Sequence, residues 1–428
     1  MNPILSTLLY EWRDRKLPTV VPRDTKIDTT KRPGDNNATV ITGFRRVGKT
    51  YMVFEAVETL LQEHSKEDVV YLNFEDERLL LQTQTLTDLL PTLQAVYGKK
   101  PKYLFLDELQ VIPAWAKWVR RILDSENIQV FITGSSSKMS SSELPTELRG
   151  RAWEVKVSTL SFSEFLRFKN TSIDTEKMAF VADEQARFRY LFDEYLKFGA
   201  LPAVVLADPE KKQELLQSYF QTVVQGDISE RNKVNNEAAL RTMLKLLVNS
   251  SQVTISKMCN TLKSMGIPIG KSTVDNYLQY IEDSYFMKQL PIYNASVVNQ
   301  LNYARKVYFV DTGFITALST KFSSNMGRLF ENVVFNKLSS QHDTLHYYWD
   351  DRNYEVDFVV LDSAKVSALY QVSYDLSSTE TLTREVRSLI KAGAKLKCSN
   401  LYLITLDKVA EGLIPSEIEV LTPDRLFW

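Results

Sequence analysis

A chain of 428 residues with 52 Lys and Arg against 53 Asp and Glu has a formal net charge of −1, which offers no global electrostatic case for nucleic acid, although local patches stay open. Its 44% hydrophobic and 25% charged residues exclude a disordered or fibrous chain and suit about two to four globular domains. Two distant cysteines, Cys259 and Cys398, exclude a disulfide framework or cysteine metal site; with no apolar run long enough to span a bilayer and no basic-then-apolar leader, the expectation is a cytoplasmic protein without membrane contact.

Residues 3–16 have helical amphipathic spacing, with Leu5, Leu8, Leu9 and Trp12 on one face. Residues 17–24 read as extended, and residues 29–37, with Pro33-Gly34, as a polar loop. The stretch A-T-V-I-T-G-F-R-R-V-G-K-T-Y-M-V-F follows from Ala38 to Phe54. Val40 to Thr42 predict a short buried strand, and Tyr51 onward a helix. Between them Gly43, Phe44, Arg45, Arg46, Val47, Gly48, Lys49 and Thr50 fit the phosphate-binding loop G-x-x-x-x-G-K-[ST]. The two glycines permit backbone that aims successive N–H groups at one anion, and the next helix presents its positive end there. Lys49 is expected on the β- and γ-phosphates and the Thr50 hydroxyl on Mg²⁺, with Tyr51 completing the nucleotide-binding set.

Residues 69–74 predict the next strand and residues 86–97 a helix. Lys102 to Gln110 read K-Y-L-F-L-D-E-L-Q, an apolar strand ending in two acids at its carboxyl end, where open α/β sheets bind ligands. Asp107 is expected in the Mg²⁺ shell, and Glu108 is placed to polarise the water that attacks a γ-phosphate. Residues 115–124 predict a helix with Trp118, Ile122 and Leu123 inward. Residues 127–133 predict a fourth strand running into Gly134-Ser135-Ser136-Ser137. Ser135 either orients the attacking water and senses the γ-phosphate or caps a turn. Arg149 and Arg151, in L-R-G-R before a fifth strand at 153–157, either reach the γ-phosphate of a neighbouring subunit or make surface ion pairs.

A capped helix begins at Ser161 with Glu164 three residues on, and helical patterns continue through 184–198 and 211–225, broken at F-G-A-L-P. Asp227 and Arg231 share a helix face; a surface pair is the simpler reading, a lid contact near the nucleotide the other. Residues 237–305 suggest a winged helix, with helices at 238–248, 257–265 and 272–286 and wing strands at 287–290 and 307–310. Over residues 237–306 eight Lys and Arg face four Asp and Glu, net +4. Yet the helix that would read DNA carries Lys271 against Asp275, Glu282 and Asp283, so structural or protein-contact use comes ahead of DNA.

From Asp311 the pattern is helix 326–338, strand 345–349, a turn at 350–353, strand 355–361, strand 368–373, helix 378–392 and strand 401–405. This α/β order would bring Glu331, Asp357 and Gln371 together. Metal-dependent nucleases of this layout need carboxylates and a lysine in the pattern D…(D/E)-x-K. Here the third strand reads Gln371-Val372-Ser373, so the nuclease layout is expected and the hydrolysis is not. His342 and His346 lack further ligands and read as ordinary residues.

At I-T-G-F-R-R-V-G-K-T, Y-L-N-F-E-D-E-R, L-F-L-D-E-L-Q, I-T-G-S-S-S, L-R-G-R, L-S-F-S-E-F-L, Y-F-V-D-T-G, G-R-L-F-E-N-V-V-F and E-V-D-F-V-V the chain resembles a bacterial and archaeal family of AAA+-like ATPases with a C-terminal domain of unknown function. The resemblance implies an α/β fold with a RecA-like P-loop parallel sheet at 1–160, a helical lid at 161–235, a winged helix at 236–310 and a restriction-endonuclease-like domain at 311–428. Family members often keep E-x-K where this chain has Q-V-S, so the terminal domain is expected to be degenerate. The expected activity is Mg²⁺-dependent ATP hydrolysis driving conformational change, with ATP and Mg²⁺ as ligands and a homo-oligomeric ring as the setting for an arginine finger. The alternatives are a nucleotide-gated scaffold for DNA or protein with slow turnover, and an ATP-licensed nuclease.

Overall fold

The computed structural model describes residues 2–30, 36–135, 139, 146–178, 180–294, 296, 298, 300, 303–319, 326–350, 354–363, 365–406 and 412–427. Most of the polar loop read around Pro33-Gly34, the serines after Ser135 and most of the turn at 350–353 lie outside the described residues. Two compact units divide the chain: residues 1–158 with 283–285, and residues 159–282 with 286–428.

In the first unit five parallel strands lie in the order β2-β3-β4-β1-β5. They are β1 (Ala38–Thr42), β2 (Val69–Asn73), β3 (Tyr103–Asp107), β4 (Gln129–Gly134) and β5 (Ala152–Lys156). Strand β1 is buried throughout and β3 and β4 nearly so, as continuous Val, Ile, Leu and Phe runs require of a parallel sheet covered on both faces. Helices α1 (Pro3–Asp14), α2 (Lys49–Leu60), α3 (Thr83–Tyr97) and α4 (Trp115–Ser125) complete the α/β unit. Helix α1 starts where Asn2 Oδ1 accepts from the Ile4 and Leu5 N–H groups, and it buries Leu5, Leu8, Leu9 and Trp12. Strand β4 stands between β1 and β3. The loop leaving β1 and the acids ending β3 therefore face each other across the tip of β4, and they are not on adjacent strands.

In the second unit the capping box at Ser161 and Glu164 starts the helix Phe162–Phe168. Helices Ala182–Phe198 and Lys212–Thr222 follow. The stretch Val223–Glu230, expected to continue in α form to 225, is π-helical. Its wider turn carries Asp227 inward: the residue is buried, and its Oδ1 accepts from Arg231 Nη2 at 3.0 Å. The expected surface pair is thus corrected to a buried acid with a partly exposed partner.

Helices Glu237–Val248, Ile255–Ser264 and Lys271–Asp283 accompany a three-stranded antiparallel sheet in the order β6-β8-β7. Its strands are β6 (Gln252–Val253), β7 (Met287–Leu290) and β8 (Arg305–Phe309). A five-stranded mixed sheet closes the chain in the order β13-β12-β11-β10-β9. Strands β9 (Leu345–Trp349), β10 (Glu355–Asp362) and β11 (Lys365–Ser373) are antiparallel, whereas β11, β12 (Leu401–Thr405) and β13 (Ile418–Leu421) run parallel. Leu382 and Leu389 of the helix Thr379–Leu396 pack with Val356, Val359, Leu369 and Leu403 of this sheet.

The helix Met326–Gln341 fastens the two sheets of this unit together. Arg328 Nη2 donates to the carbonyls of Leu247 and Ser250 at 3.2 and 2.7 Å, satisfying groups at the end of helix Glu237–Val248. One turn on, Asn332 mimics a strand edge: its Oδ1 accepts from the Phe309 N–H at 2.8 Å and its Nδ2 donates to the Phe309 carbonyl at 2.7 Å.

Candidate nucleotide site

The loop after β1 is held from several sides. A Cβ on Gly43 would lie 2.2 Å from the Val157 carbonyl oxygen, so only glycine lets the loop pass this close to the end of β5. Arg46 and Gly48 take left-handed φ values of 70° and 99°. Such backbone turns successive N–H groups toward one point. Gly48 also starts α2 without a side-chain cap, so the helix keeps its first N–H groups for another acceptor. Arg23, absent from the sequence-based candidates, is buried under the loop. Its Nη1 donates to the Val47 carbonyl at 2.9 Å and its Nη2 to the Ser158 carbonyl at 3.0 Å.

Lys49 is 6% exposed. Its Nζ donates to the Gly43 and Phe44 carbonyls at 3.0 and 3.1 Å and lies 3.8 Å from Glu108 Oε1. The Thr50 hydroxyl donates to Asp107 Oδ2 at 2.9 Å, and the Tyr71 hydroxyl donates to the same oxygen at 2.7 Å. Burial, and then the charge of Asp107, push the Tyr71 phenol well above its usual value, which keeps it a donor. Thr133, on the intervening strand, accepts from the Glu108 N–H at 2.9 Å and donates to Asp107 Oδ1. Glu108 has a left-handed φ of 52° and its Oε2 accepts from Gln110 Nε2. Burial, and then the charge of Glu108, raise the Glu75 carboxyl, while Arg45 Nη2 lies 3.4 Å from Glu75 Oε1.

The remaining loop residues divide by exposure. Phe44 and Val47 are buried in the wall of the unit, Arg46 is exposed, and Tyr51 is 53% exposed on the first turn of α2. Ser135 is 1% exposed, and its Oγ has no hydrogen-bond partner among the described residues; the same holds for Gln110 Oε1. Two buried polar atoms left over beside paired acids suit a polar ligand at this edge. The Thr50 hydroxyl and Asp107 carboxylate are hard oxygen donors of the kind Mg²⁺ takes with substrate phosphates. Arg149 is exposed, whereas Arg151 Nη1 pairs with Asp124 at the end of α4. Thr133 and Arg23 were beyond the reach of sequence reading, because both act through strand order and chain reversal and belong to no local motif.

Among the other expected site residues, Glu331 and Asp357 meet through a third party: Lys306 Nζ lies 3.2 Å from Glu331 Oε1 and 2.7 Å from Asp357 Oδ1. Gln371 Oε1 accepts from the Asp357 N–H at 3.2 Å. The expectation that this centre lacks an ammonium, because Ser373 stands at the lysine position, is corrected: strand β8 delivers one from outside the pattern. Asp357 is buried, and burial raises its carboxyl above the usual carboxylate value, with Lys306 pulling the other way. Burial lowers His346, and the described residues bring no metal partner to it.

Residues 35–166 match the family of AAA domains, residues 189–325 a domain of unknown function (DUF8612), and residues 326–420 another (DUF4143). The uncharacterized protein MJ1544 of Methanocaldococcus jannaschii is 36% identical over 88% of this chain and 83% of its own length. An uncharacterized protein of Haemophilus influenzae is 31% identical over 76% of this chain and 78% of its own. Among solved structures, Aeropyrum pernix ORC1 in complex with DNA covers 74% of this chain and 90% of its own at 12% identity and a TM-score of 0.30. AMPPCP-bound DnaA from Aquifex aeolicus covers 66% and 88% at 13% identity and a TM-score of 0.25. No helix among the described residues is long and apolar enough to cross a membrane. The chain belongs to the family of MJ1544, with a segment that matches AAA domains followed by two domains of unknown function.

Proposed function

We propose that this protein hydrolyses ATP with Mg²⁺ and uses the cycle to change the conformation of the segments after its AAA domain. The observation that carries the reading is the meeting of Thr50 Oγ1 with Asp107 Oδ2 at 2.9 Å, beside Lys49 Nζ 3.8 Å from Glu108 Oε1. Lys49 and the loop N–H groups hold phosphate oxygens. Thr50 and Asp107 hold Mg²⁺, which when bound supplies charge neutralisation. Glu108 takes a proton from water as the water oxygen forms a bond to the γ-phosphorus and the β–γ bridging bond breaks. Ser135 orients that water or the γ-phosphate oxygens. In a ring, Arg149 is the better candidate for action on a neighbour, because Arg151 is engaged by Asp124. The test is phosphate release by the full chain and by Glu108→Gln, with nucleotide affinity measured separately. Retained affinity with lost turnover supports the reading, and equal turnover overturns it.

A second reading, a nucleotide-gated scaffold with slow turnover, is favoured by the pairing of Glu108 with both Gln110 and Lys49, which leaves the carboxylate engaged. We infer a winged helix for residues 237–309 from its helix and strand order, with a protein partner ahead of DNA. Of the cations that gave this segment its positive count, Lys306 is buried and Arg305 donates to Gln289, which thins its phosphate-binding surface further. The terminal sheet and its acids support the endonuclease-like reading of residues 311–428.

A further inference from the structure

The second unit contains a carboxylate centre with its own cation. Lys306, on β8, is 4% exposed. Its Nζ lies 2.7 Å from Asp357 Oδ1, 2.8 Å from Glu355 Oε1 and 3.2 Å from Glu331 Oε1. An ammonium has three N–H donors; here it donates to Asp357 and Glu331, and Glu355 completes the ring of acids as an ion-pair partner. The shell behind them is also satisfied. Tyr308 O–H donates to Glu331 Oε1 at 2.6 Å, and the Val372 N–H donates to Asp357 Oδ2 at 2.9 Å. Gln371 Nε2 donates to Glu385 Oε2 at 2.6 Å, so this amide links Asp357 to the helix Thr379–Leu396.

The charges do not balance within the centre: three carboxylates face one ammonium. A divalent ion in the same hollow would neutralise more of that charge and take the same oxygens. The acids would have to close in by about 0.5–1 Å to reach Mg–O lengths of about 2.1 Å. The ammonium and a metal cannot share the hollow. We propose that the Lys306 ammonium is the resident cation of this centre, closing a divalent-metal site that Glu331, Glu355 and Asp357 form once the lysine side chain is removed. The centre therefore joins the segment matching one domain of unknown function, which supplies Lys306, to the segment matching the other, which supplies the acids. It holds the two together without metal chemistry.

The test is a Mn²⁺ titration of the nucleotide-free full chain, read by the paramagnetic resonance signal of free Mn²⁺. Wild type, Lys306→Met, Asp357→Asn and the double variant are compared; all four share the same P-loop, so differences report this centre. The expected result is one more Mn²⁺ per chain in Lys306→Met than in wild type, absent again from the double variant. Two results would overturn the proposal: a wild-type Mn²⁺ that Asp357→Asn removes, or a folded Lys306→Met with no gain. If Lys306→Met does not fold alone, Mn²⁺ should restore its circular dichroism while leaving wild type unchanged. Failure of that rescue counts equally against the proposal.

Discussion

Thr50 and Asp107 are 57 residues apart in the chain, yet the hydroxyl of one donates to the carboxylate of the other at 2.9 Å. The strand order produces this meeting: β4 holds β1 and β3 at the right spacing, and Thr133 at its end bonds both Asp107 and the Glu108 N–H. Thr133→Val keeps the shape of the side chain and removes both bonds. The partly buried Glu108 N–H then loses its acceptor, at a cost of about 1 kcal/mol in stability. Turnover should fall while nucleotide affinity, which rests on the loop, stays. Phosphate release and fluorescent-nucleotide titration check this, and a loss of affinity equal to the loss of turnover would sink it.

Glu108→Gln removes the proton acceptor and keeps the Gln110 and backbone contacts within reach. General-base catalysis is typically worth about 10²–10⁴-fold, so turnover should drop by that order with binding retained. Single-turnover phosphate release measures the drop.

Arg23→Ala should act through the loop. The guanidinium is buried and pins the Val47 carbonyl to the chain at Ser158. Its removal leaves two carbonyls short of a charged donor, a loss of about 1.5–3 kcal/mol each at most. Urea unfolding should show the destabilisation, and nucleotide affinity should weaken more than turnover at saturation. Unchanged affinity in a destabilised variant would assign Arg23 to the fold alone.

The two arginines of L-R-G-R separate by their partners. Arg151 pairs with Asp124 on a partly exposed surface, so Arg151→Ala should cost no more than about 1 kcal/mol and leave turnover alone. Arg149→Ala should lower turnover by about 10³-fold or more if it acts on a neighbour's nucleotide. Mixing Arg149→Ala with Glu108→Gln chains should then restore part of the activity, since each supplies what the other lacks. No recovery on mixing would argue against action between subunits.

The parallel sheet was legible because β1, β3 and β4 are apolar runs that stop at a glycine or an acid, and the loop because its spacing is chemically restrictive. What stayed hidden depends on contacts across long chain separations. Lys306 and Asp357 are 51 residues apart and on different sheets, so no local pattern joins them. The three residues Arg328, Glu331 and Asn332 of G-R-L-F-E-N each bond the preceding segment, a role that amphipathic spacing alone does not reveal. The π-helical turn at Val223–Glu230 was read as α because its apolar spacing drifts by only one residue. Strand β13 was missed because Ile418–Leu421 is short and alternates with Glu419.

Asp311, in Y-F-V-D-T-G, supplies a pH test of the second unit. It is buried; its Oδ2 accepts from the Ala200 N–H at 2.7 Å and its Oδ1 from the Gly313 N–H at 2.8 Å. Burial lifts its carboxyl from 3.8 to about 6, against the pull of those N–H donors. A carboxyl whose folded value lies above its unfolded one binds more protons folded than unfolded between the two. Its contribution to stability is therefore full below pH 3.8 and lost as pH rises to about 6. The size of the loss is roughly 2–3 kcal/mol, from a shift of about two pH units at 1.36 kcal/mol each. Asp311→Asn does not titrate, and it sets an amide nitrogen against an N–H donor, so it should be less stable than wild type throughout. The gap between the two in urea midpoint should narrow from pH 4 to pH 6.5, because only wild type loses the protonated form. Subtracting one chain from the other cancels the acids that titrate in the opposite sense, such as Glu194, which its two lysine partners hold below its usual value despite burial. A gap that stays constant or widens with pH would show that Asp311 is already ionised in the folded protein at pH 4.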